Sequence, residues 1–232
     1  MSEPDHIDAL IARQATVRPD AAAVIDAGLT TSFAALDAHV TAAADMLAAA
    51  GTGPGDRVLI VAENCLATAV FIHAAVRAGA IAVPVNARMT APELAKVIDH
   101  ALPRVVIYTS GCSAEAAAHA GDAALQDAGF GGFHMARLDP QALDADTDDV
   151  AVILYTTGTT GAPKGVMLTH ANLIFAGSLS ARIRAMTEGD RIYGVLPLTH
   201  VFGLASSSSR LRSVARPCNW KPGSAPKSCT PP

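Results

Sequence analysis

Residues 57–85, RVLIVAENCLATAVFIHAAVRAGAIAVPV, decide the fold class because they change twice between strand-type and helix-type sequence. The runs Arg57–Val61 and Ile81–Val85 are rich in branched aliphatic residues, which favour strands. Between them, Cys65–Ala78 is apolar on most sides and predicts a buried helix. A strand, a helix and a second strand in this order are typical of a βαβ unit with two parallel strands.

The alternation of strands and helices continues toward the C terminus. The capping box Thr90-Ala91-Pro92-Glu93 predicts the start of a helix. Its apolar side is expected to carry Leu94, Val97, Ile98 and Ala101. Arg104–Tyr108 is the next predicted strand, an Ala-rich helix is expected near Ala114–Ala128, and a weak strand is expected at His134–Leu138. The sequence therefore predicts an α/β domain with a layered, parallel-type βαβ sheet.

The N-terminal residues predict further elements of the same domain. Residues 7–17 carry apolar residues at helical spacing, and Ala22–Asp26 with Leu29–Ser32 predict a short hairpin. Apolar residues recur at helical spacing from Leu36 to Leu47, and Gly51 stands where a helix C-cap belongs.

The charge of the chain is uneven. Five of the 17 basic residues and none of the 21 acidic residues lie after position 205, so residues 1–205 carry a formal charge of −9. An acidic body is a poor match for a phosphate backbone, so no nucleic-acid partner is expected. The chain has no run of 18 apolar residues and no basic signal region at its start, so we expect no membrane span and a cytoplasmic location. The four cysteines form no CxxC pair, in agreement with free thiols in a reducing compartment.

The stretch that points to chemistry is TTGTTGAPKG, residues 156–165, directly after the apolar strand Val150–Leu154. Its glycines are expected to take positive φ angles and let backbone N–H groups converge on an anion, while the threonines add hydroxyls and Lys164 adds a positive charge. These groups predict a polyphosphate site. A Walker A loop is disfavoured because Pro163 stands where its second glycine belongs, and Gly165 stands where its Ser or Thr belongs.

The residues after this loop predict a return strand and a helix. Val166–Leu168 is β-like, and Thr169 or Asn172 is placed to cap the helix that follows. His170 is expected to cap that helix or to pack in the core. One apolar face is expected from Leu173, Ala176, Leu179, Ile183 and Met186.

Tyr155–Gly165 resembles the signature phosphate loop of the AMP-forming, adenylate-forming superfamily, which includes acyl-CoA synthetases, peptide-synthetase adenylation domains and luciferases. The family usually has Ser at the second or third place, where this chain has Thr156 and Thr157, and this exchange keeps a hydroxyl. Three further segments are similar to family motifs and follow in the family order: Arg77–Asn86, Arg88–Leu94 and Pro197–Gly203.

The resemblance implies roles for residues at the matching positions. Lys164 would compensate charge on the leaving pyrophosphate, and His200 would orient or gate the acyl substrate; these two are the candidate catalytic residues. A partly buried histidine at a strand end is the alternative interpretation of His200. The residues expected to bind the ATP phosphates are Thr156, Thr157, Gly158, Thr159, Thr160, Gly161 and Lys164.

The resemblance also implies a reaction and its partners. ATP and a carboxylic acid form an acyl-adenylate and pyrophosphate, and the CoA thiol then displaces AMP. ATP, CoA and Mg²⁺ are therefore the expected cofactors, with a small-molecule carboxylic acid as substrate. No metal ligand is assigned, because the family's Mg²⁺ and adenine motifs have no counterpart here and the histidines lack metal-ligand spacing.

The last residues depart from the family pattern. We expect a partial N-terminal AMP-binding domain at residues 1–205 and a disordered Ser/Pro/Arg-rich tail at residues 206–232, as a frameshift would produce. The expected function is that of a fragment of an ATP-dependent acid–CoA ligase without full activity. The alternatives are a non-catalytic polyphosphate-binding module or a fragment of a peptide-synthetase adenylation domain.

Overall fold

The computed structural model describes residues 6–122, 125–140, 147, 149–156, 163–187, 189–208 and 214–215. The strands in these ranges are β1 (Ala22–Asp26), β2 (Leu29–Ser32), β3 (Arg57–Ala62), β4 (Ile81–Asn86), β5 (Val105–Tyr108), β6 (Gln126–Asp127), β7 (Gly132–Arg137), β8 (Val150–Thr156), β9 (Lys164–Thr169), β10 (Ile192–Tyr193) and β11 (Val214–Ala215). The helices are α1 (Ile7–Val17), α2 (Phe33–Ala49), α3 (Leu66–Arg77), α4 (Ala91–Ala101), α5 (Ala114–Ala120), α6 (His170–Ile183) and α7 (Val201–Ser208).

The central layer of the described fold is a seven-stranded sheet with the order β6-β7-β5-β3-β4-β8-β9. Its four middle strands, β5, β3, β4 and β8, run parallel, and α3 joins β3 to β4 as residues 57–85 predict. The parallel-type α/β prediction is confirmed for this centre. Toward both edges the strands run antiparallel, β7 against β5 and β9 against β8. Strand β9 does so because a short connection returns the chain beside β8, whereas β7 reaches β5 only after α5 and β6.

Both faces of the sheet are buried, which explains the continuous apolar runs of its central strands. Along β3, Val58 and Ile60 face a core cluster that includes residues of α1, α2 and α3, whereas Leu59 and Val61 face a cluster that includes residues of α4 and α5. All four side chains are 0% exposed. Burial of each such side chain contributes roughly 1.5–3 kcal/mol.

Local sequence signals place several elements correctly. The hairpin of β1 and β2 turns at Ala27 and Gly28, whose φ angles of 50° and 84° are both positive. The capping box of α4 is formed, with the Thr90 backbone N–H donating to Glu93 Oε2 at 2.8 Å. Gly51 follows α2 with a φ of 88°, as a residue just past a helix C-cap commonly does.

The Ala-rich helix predicted near Ala114–Ala128 is wrong in length. Helix α5 ends at Ala120, and Gly121 follows with a φ of 63° that leaves the helical path. Gln126–Asp127 forms the short strand β6, antiparallel to β7. The alanine content favours a helix, but it does not reveal where tertiary pairing with β7 takes over.

The apolar face predicted for α6 is also wrong in part. The buried residues of this helix are His170, Leu173, Gly177 and Ala181. Ile183 is 75% exposed, and Met186 lies beyond the helix end. Small residues face the neighbours because α6 packs against α1 and α7, and close helix packing leaves little room there.

A second, smaller sheet has the order β10-β11-β1-β2 in the described residues. Strand β11 pairs in parallel with both β1 and β10. Helix α7 ends at Ser208, three positions after the domain limit predicted at residue 205, and that limit stays a prediction. No helix in the described ranges is long and apolar enough to cross a membrane.

Candidate functional site: the carboxyl edge of the parallel strands

The predicted phosphate loop connects β8 to β9 in a hairpin. In the register of this pair, Thr156 lies opposite Lys164 and Tyr155 lies opposite Gly165. The side chains of Thr156 and Lys164 are both exposed. The hairpin therefore brings one hydroxyl and one ammonium group to the two ends of the loop. Thr157, Gly158, Thr159, Thr160 and Gly161 lie outside the described residues.

Gly165 is required by packing inside the protein. A Cβ atom at this position would lie 2.8 Å from Ile153 Cγ2 and 3.4 Å from Tyr155 Cζ. Gly165 is not among the described glycines with positive φ, so the expected positive φ is wrong at this residue. Its missing side chain lets β9 lie close against β8, and the hairpin thereby holds Lys164 beside Thr156.

Tyr155 fixes the end of β8 before the loop begins. Its hydroxyl lies 2.7 Å from His100 Nδ1, and the two rings meet edge to face at 5.6 Å between centroids. Burial raises the pKa of the Tyr155 hydroxyl, so this group remains a neutral hydrogen-bonding partner near pH 7. His100 belongs to the last turn of α4. Sequence reasoning missed this contact, because the two residues are 55 positions apart.

His200 lies just before α7 and is exposed. Its Nδ1 accepts a hydrogen bond from the Phe202 backbone N–H at 3.4 Å, and the two rings stack at 5.7 Å between centroids. In the neutral imidazole, this bond leaves the proton on Nε2. The alternative interpretation of a partly buried histidine at a strand end is wrong, because the preceding residues form a turn and the following ones a helix.

Asn64 holds the segment that leads to His200, and sequence reasoning missed it. Asn64 Nδ2 donates to Gly194 O at 3.0 Å and to Leu196 O at 2.8 Å, and Asn64 Oδ1 accepts from the Leu198 N–H at 2.7 Å. The one available signal was its place two residues after the central parallel strand β3, where binding residues of α/β sheets concentrate.

The strand register places these groups at one edge of the sheet. Ala62 pairs with Asn86 at the ends of β3 and β4, and Ala82 pairs with Val152 in β8. Thr156 follows Val152 by as many residues as Asn86 follows Ala82, so β4 and β8 end at the same level. The carboxyl edge of parallel strands is where ligands bind in open α/β sheets.

A charged pair lies at this edge beside the polar groups. Arg88 Nε contacts Glu63 Oε1 at 2.8 Å, and the Arg88 backbone N–H donates to Asn86 Oδ1 at 2.9 Å. This pair links the residues that follow β3 and β4. Because the Arg88 side chain is about half exposed, we assign the contact little weight in stability.

His170 has the structural role that its position predicts. It is buried at the start of α6, and its Nδ1 accepts the Ile7 backbone N–H at 3.2 Å. Burial lowers the pKa of His170, and the nearby His6 lowers it further. His170 does not cap α6. Thr169 caps this helix instead, and its hydroxyl accepts a hydrogen bond from the Asn172 N–H at 3.1 Å.

The described groups fit the phosphates of a nucleotide. Thr156 and Lys164 are exposed at the hairpin ends and supply a hydroxyl and a positive charge for phosphate oxygens. No three His, Cys, Asp or Glu side chains gather into a metal site within the described ranges. The carboxylates that would bind Mg²⁺ with ATP are therefore not assigned to these residues.

The sequence profile described as AMP-binding enzyme matches residues 11–209. The chain belongs to the AMP-binding enzyme family. The matched range of this AMP-binding chain includes the β8–β9 hairpin, Asn64 and His200, so the candidate site lies inside the family region. The resemblance proposed from Tyr155–Gly165 is confirmed.

Relatives of this AMP-binding chain include acid–CoA ligases and synthetases. It is 30% identical over 208 residues to the long-chain-fatty-acid–CoA ligase FadD13 of Mycobacterium tuberculosis, covering 85% of this chain and 41% of the ligase. It is 33% identical over 211 residues to pyochelin synthetase PchF of Pseudomonas aeruginosa, covering 87% of this chain and 10% of the synthetase.

A solved structure supports the same fold. The o-succinylbenzoate CoA synthetase MenE of Bacillus subtilis, in complex with the acyl-adenylate intermediate OSB-AMP, superimposes with a TM-score of 0.68 at 26% identity. The alignment covers 91% of this chain and 56% of MenE. This AMP-binding chain thus corresponds to a part of these longer proteins.

Proposed function

We propose that this chain provides the phosphate-binding part of an ATP-dependent acid–CoA ligase. The observation that carries the proposal is the β8–β9 hairpin, which sets Lys164 opposite Thr156 at the carboxyl end of the parallel strand β8. A positive side chain and hydroxyls at the ends of a glycine-rich turn suit the β- and γ-phosphates of ATP.

In the proposed reaction, a carboxylate oxygen of the substrate attacks the α-phosphorus of ATP. The bond between the α-phosphorus and the bridging oxygen breaks, and pyrophosphate leaves with that electron pair. Lys164 would balance the charge that develops on pyrophosphate, and Thr156 with the loop residues 157–161 would hold its oxygens. The thiolate of CoA would then attack the acyl carbon and release AMP.

His200 is proposed to act on the carboxylic acid. Its neutral form has Nε2–H as the free donor, since Nδ1 accepts from Phe202. A donor at this position suits a carboxylate oxygen, which it would orient for attack. Mg²⁺ would neutralise phosphate charge, and its ligands are expected outside the described residues.

The complete reaction is proposed for the whole ligase, because the chain spans 41% of the length of FadD13. For this chain we propose binding of the ATP phosphates. The chain length of the acid is left open: FadD13 is named for long-chain fatty acids, and MenE carries o-succinylbenzoyl-AMP.

We expect Lys164→Ala to weaken the binding of pyrophosphate and ATP by roughly tenfold or more, because one charge-assisted contact contributes about 1.5–3 kcal/mol. Isothermal titration of this chain with pyrophosphate, ATP and adenosine measures the change. Lys96→Ala is the matched control, because Lys96 is also exposed and lies on α4.

Adenosine tests whether Lys164 contacts the phosphates of ATP. Because adenosine has no phosphates, its affinity is expected to be the same in wild type and in Lys164→Ala. Equal pyrophosphate affinity in the Lys164 and Lys96 variants would contradict the assignment of the loop. ATP-dependent pyrophosphate exchange by the same two variants of the full-length ligase extends the test to catalysis.

A non-catalytic polyphosphate-binding module is the second candidate. Thr156 and Lys164, exposed at the two ends of the hairpin, suit a polyphosphate whether or not a carboxylic acid binds nearby. The two candidates differ in their response to a carboxylic acid. In part of a ligase, acetate, octanoate or benzoate is expected to shift the NMR signals of His200. In a module that binds only polyphosphate, these signals are expected to stay unchanged.

A further inference from the structure

Asn64 stands on a rigid support at the carboxyl edge of the sheet. On one side of it, the Glu63 carbonyl accepts from the Thr68 hydroxyl at 2.6 Å. On the other side, the Leu66 backbone N–H donates to Asp26 Oδ2 at 2.9 Å. The connection between β3 and α3 is thus fixed before and after Asn64, which makes its half-buried amide a suitable anchor.

The segment that Asn64 holds has little regular structure of its own. Residues 194–200 follow the two-residue strand β10 and precede α7. Asn64 satisfies two backbone carbonyls and one backbone N–H in this segment, at Gly194, Leu196 and Leu198. A side-chain amide that donates twice and accepts once therefore replaces the strand pairing that the segment lacks.

The fixed segment sets the position of His200. The His200 backbone N–H donates to Pro197 O at 3.0 Å, and His200 O accepts from the Leu204 N–H at 2.9 Å. Gly203 lies directly against the same turn, since a Cβ atom there would clash with Pro197 O. The turn, the start of α7 and the imidazole therefore form one unit that Asn64 joins to β3.

We infer that Asn64 is a positioning residue, which clamps residues 194–198 and thereby holds the His200 imidazole at the edge where the proposed acid substrate lies. These three hydrogen bonds between Asn64 and residues 194–198 are called the clamp. Its role in substrate positioning rests on the proposed ligase function. Loss of the clamp lets residues 194–200 move, so the Nε2–H of His200 no longer meets a carboxylate in one orientation.

Three variants of the full chain separate the effect of the Asn64 hydrogen bonds from the effect of the space that the Asn64 side chain fills. Asn64→Ala removes all three bonds. Asn64→Asp keeps the shape and an acceptor for the Leu198 N–H, but it turns a carboxylate oxygen toward two carbonyl oxygens. Asp45→Asn is the matched control, because it exchanges the same two side chains at an exposed site of α2.

Amide hydrogen exchange of the ¹⁵N-labelled chain is the first measurement. We expect the Leu198 amide to exchange about five- to tenfold faster in Asn64→Ala, which is the effect of roughly one lost hydrogen bond. The amides of β3 and β4 are expected to exchange as in Asp45→Asn. Gly203→Ala is a second variant in case Asn64→Ala does not fold. It displaces the same turn from α7, so the Leu198 amide is expected to exchange faster in it as well.

The ring nitrogens of His200 are the second measurement, because a merely structural role would leave them unchanged. We expect the neutral wild-type ring to show an Nε2–H tautomer with Nδ1 as acceptor, and both Asn64 variants to show averaged nitrogen shifts. Wild-type exchange at Leu198 together with an unchanged His200 tautomer in Asn64→Ala would overturn the inference, and so would an Asn64→Asp variant that behaves like wild type.

Ligands separate this inference from the proposed function. ATP is expected to shift the signals of Thr156 and Lys164 equally in wild type and in Asn64→Ala, whereas octanoate or benzoate shifts the His200 signals in wild type alone. If ATP shifts neither residue in any variant, the proposed function fails. The clamp is still judged by the exchange and tautomer measurements, which need no ligand.

Discussion

At the scale of single residues, His73 shows how burial controls protonation. This side chain of α3 is 4% exposed, and its Nδ1 meets no hydrogen-bond partner in the described part of the chain. Burial lowers the pKa of His73 to about 4, with a smaller contribution from Arg77 and an opposing one from Asp8. The folded protein therefore holds His73 neutral, while the unfolded chain protonates it near pH 6.5.

The resulting pH dependence has a definite sign. Because the pKa is lower in the folded state, the folded protein is most stable above pH 6.5 and loses stability as the pH falls toward 4. Between pH 7.5 and pH 5, His73 is expected to lower the free energy of unfolding by about 2 kcal/mol.

Urea unfolding of wild type and His73→Leu at these two pH values measures the contribution, since the leucine variant lacks this titration and keeps all others. An equally steep pH dependence in both proteins would show that His73 is not held neutral.

At the scale of elements, the β8–β9 hairpin depends on a glycine and a tyrosine as well as on its loop. Gly165 lets the two strands approach, and Tyr155 ties β8 to α4 through His100. Both contacts support the strand ends that carry Thr156 and Lys164. Changes at the strands are therefore expected to act on phosphate binding through the position of Lys164.

Gly165→Ala tests the close approach of the strands. The added Cβ would lie 2.8 Å from Ile153 Cγ2, so β9 must shift, at an expected cost of about 1–3 kcal/mol in the free energy of unfolding. Gly189→Ala is the matched control, because a Cβ atom there meets nothing within 4 Å.

Chemical unfolding compares the two variants, and pyrophosphate titration shows whether Lys164 has moved with β9. Equal stability of the two variants would mean that β8 and β9 do not pack as described.

At the scale of the whole molecule, an aromatic cluster joins the sheet to the helices. The rings of Phe71 and Phe133 meet edge to face at 4.8 Å between centroids, and Phe130 stacks on Phe133 at 5.7 Å. Phe71 is 0% exposed in α3, and Phe133 comes from the antiparallel strand β7. The cluster thus joins the central βαβ unit to the edge of the sheet that the parallel pattern does not predict.

Phe71→Ala is expected to lower the free energy of unfolding by about 3–5 kcal/mol, because it removes a fully buried ring and leaves a cavity. Phe175→Ala removes the same ring from α6, where it is 68% exposed, and is expected to change stability by less than about 0.5 kcal/mol.

Denaturant unfolding of the two variants under identical conditions gives the comparison. Similar losses at the two positions would contradict the burial of Phe71 in the core on this face of the sheet.

The sequence by itself determined the elements whose signals are local. The alternation across residues 57–85 predicted the parallel centre, because strands buried on both faces need continuous apolar runs. The capping box at Thr90 and the hairpin at Ala27-Gly28 follow from backbone geometry that few residue types satisfy. The motif Tyr155–Gly165 likewise indicated the family and placed Lys164 in the candidate site.

Only the tertiary structure decided the contacts between distant residues. It made β7 and β9 antiparallel, ended α5 at Ala120 and turned the small residues of α6 toward its neighbours. Asn64 meets Leu198 across 134 positions of sequence, and no local pattern carries that pairing. Side-chain periodicity reports which face of an element is apolar, whereas the partner of a single polar group depends on how the whole chain packs.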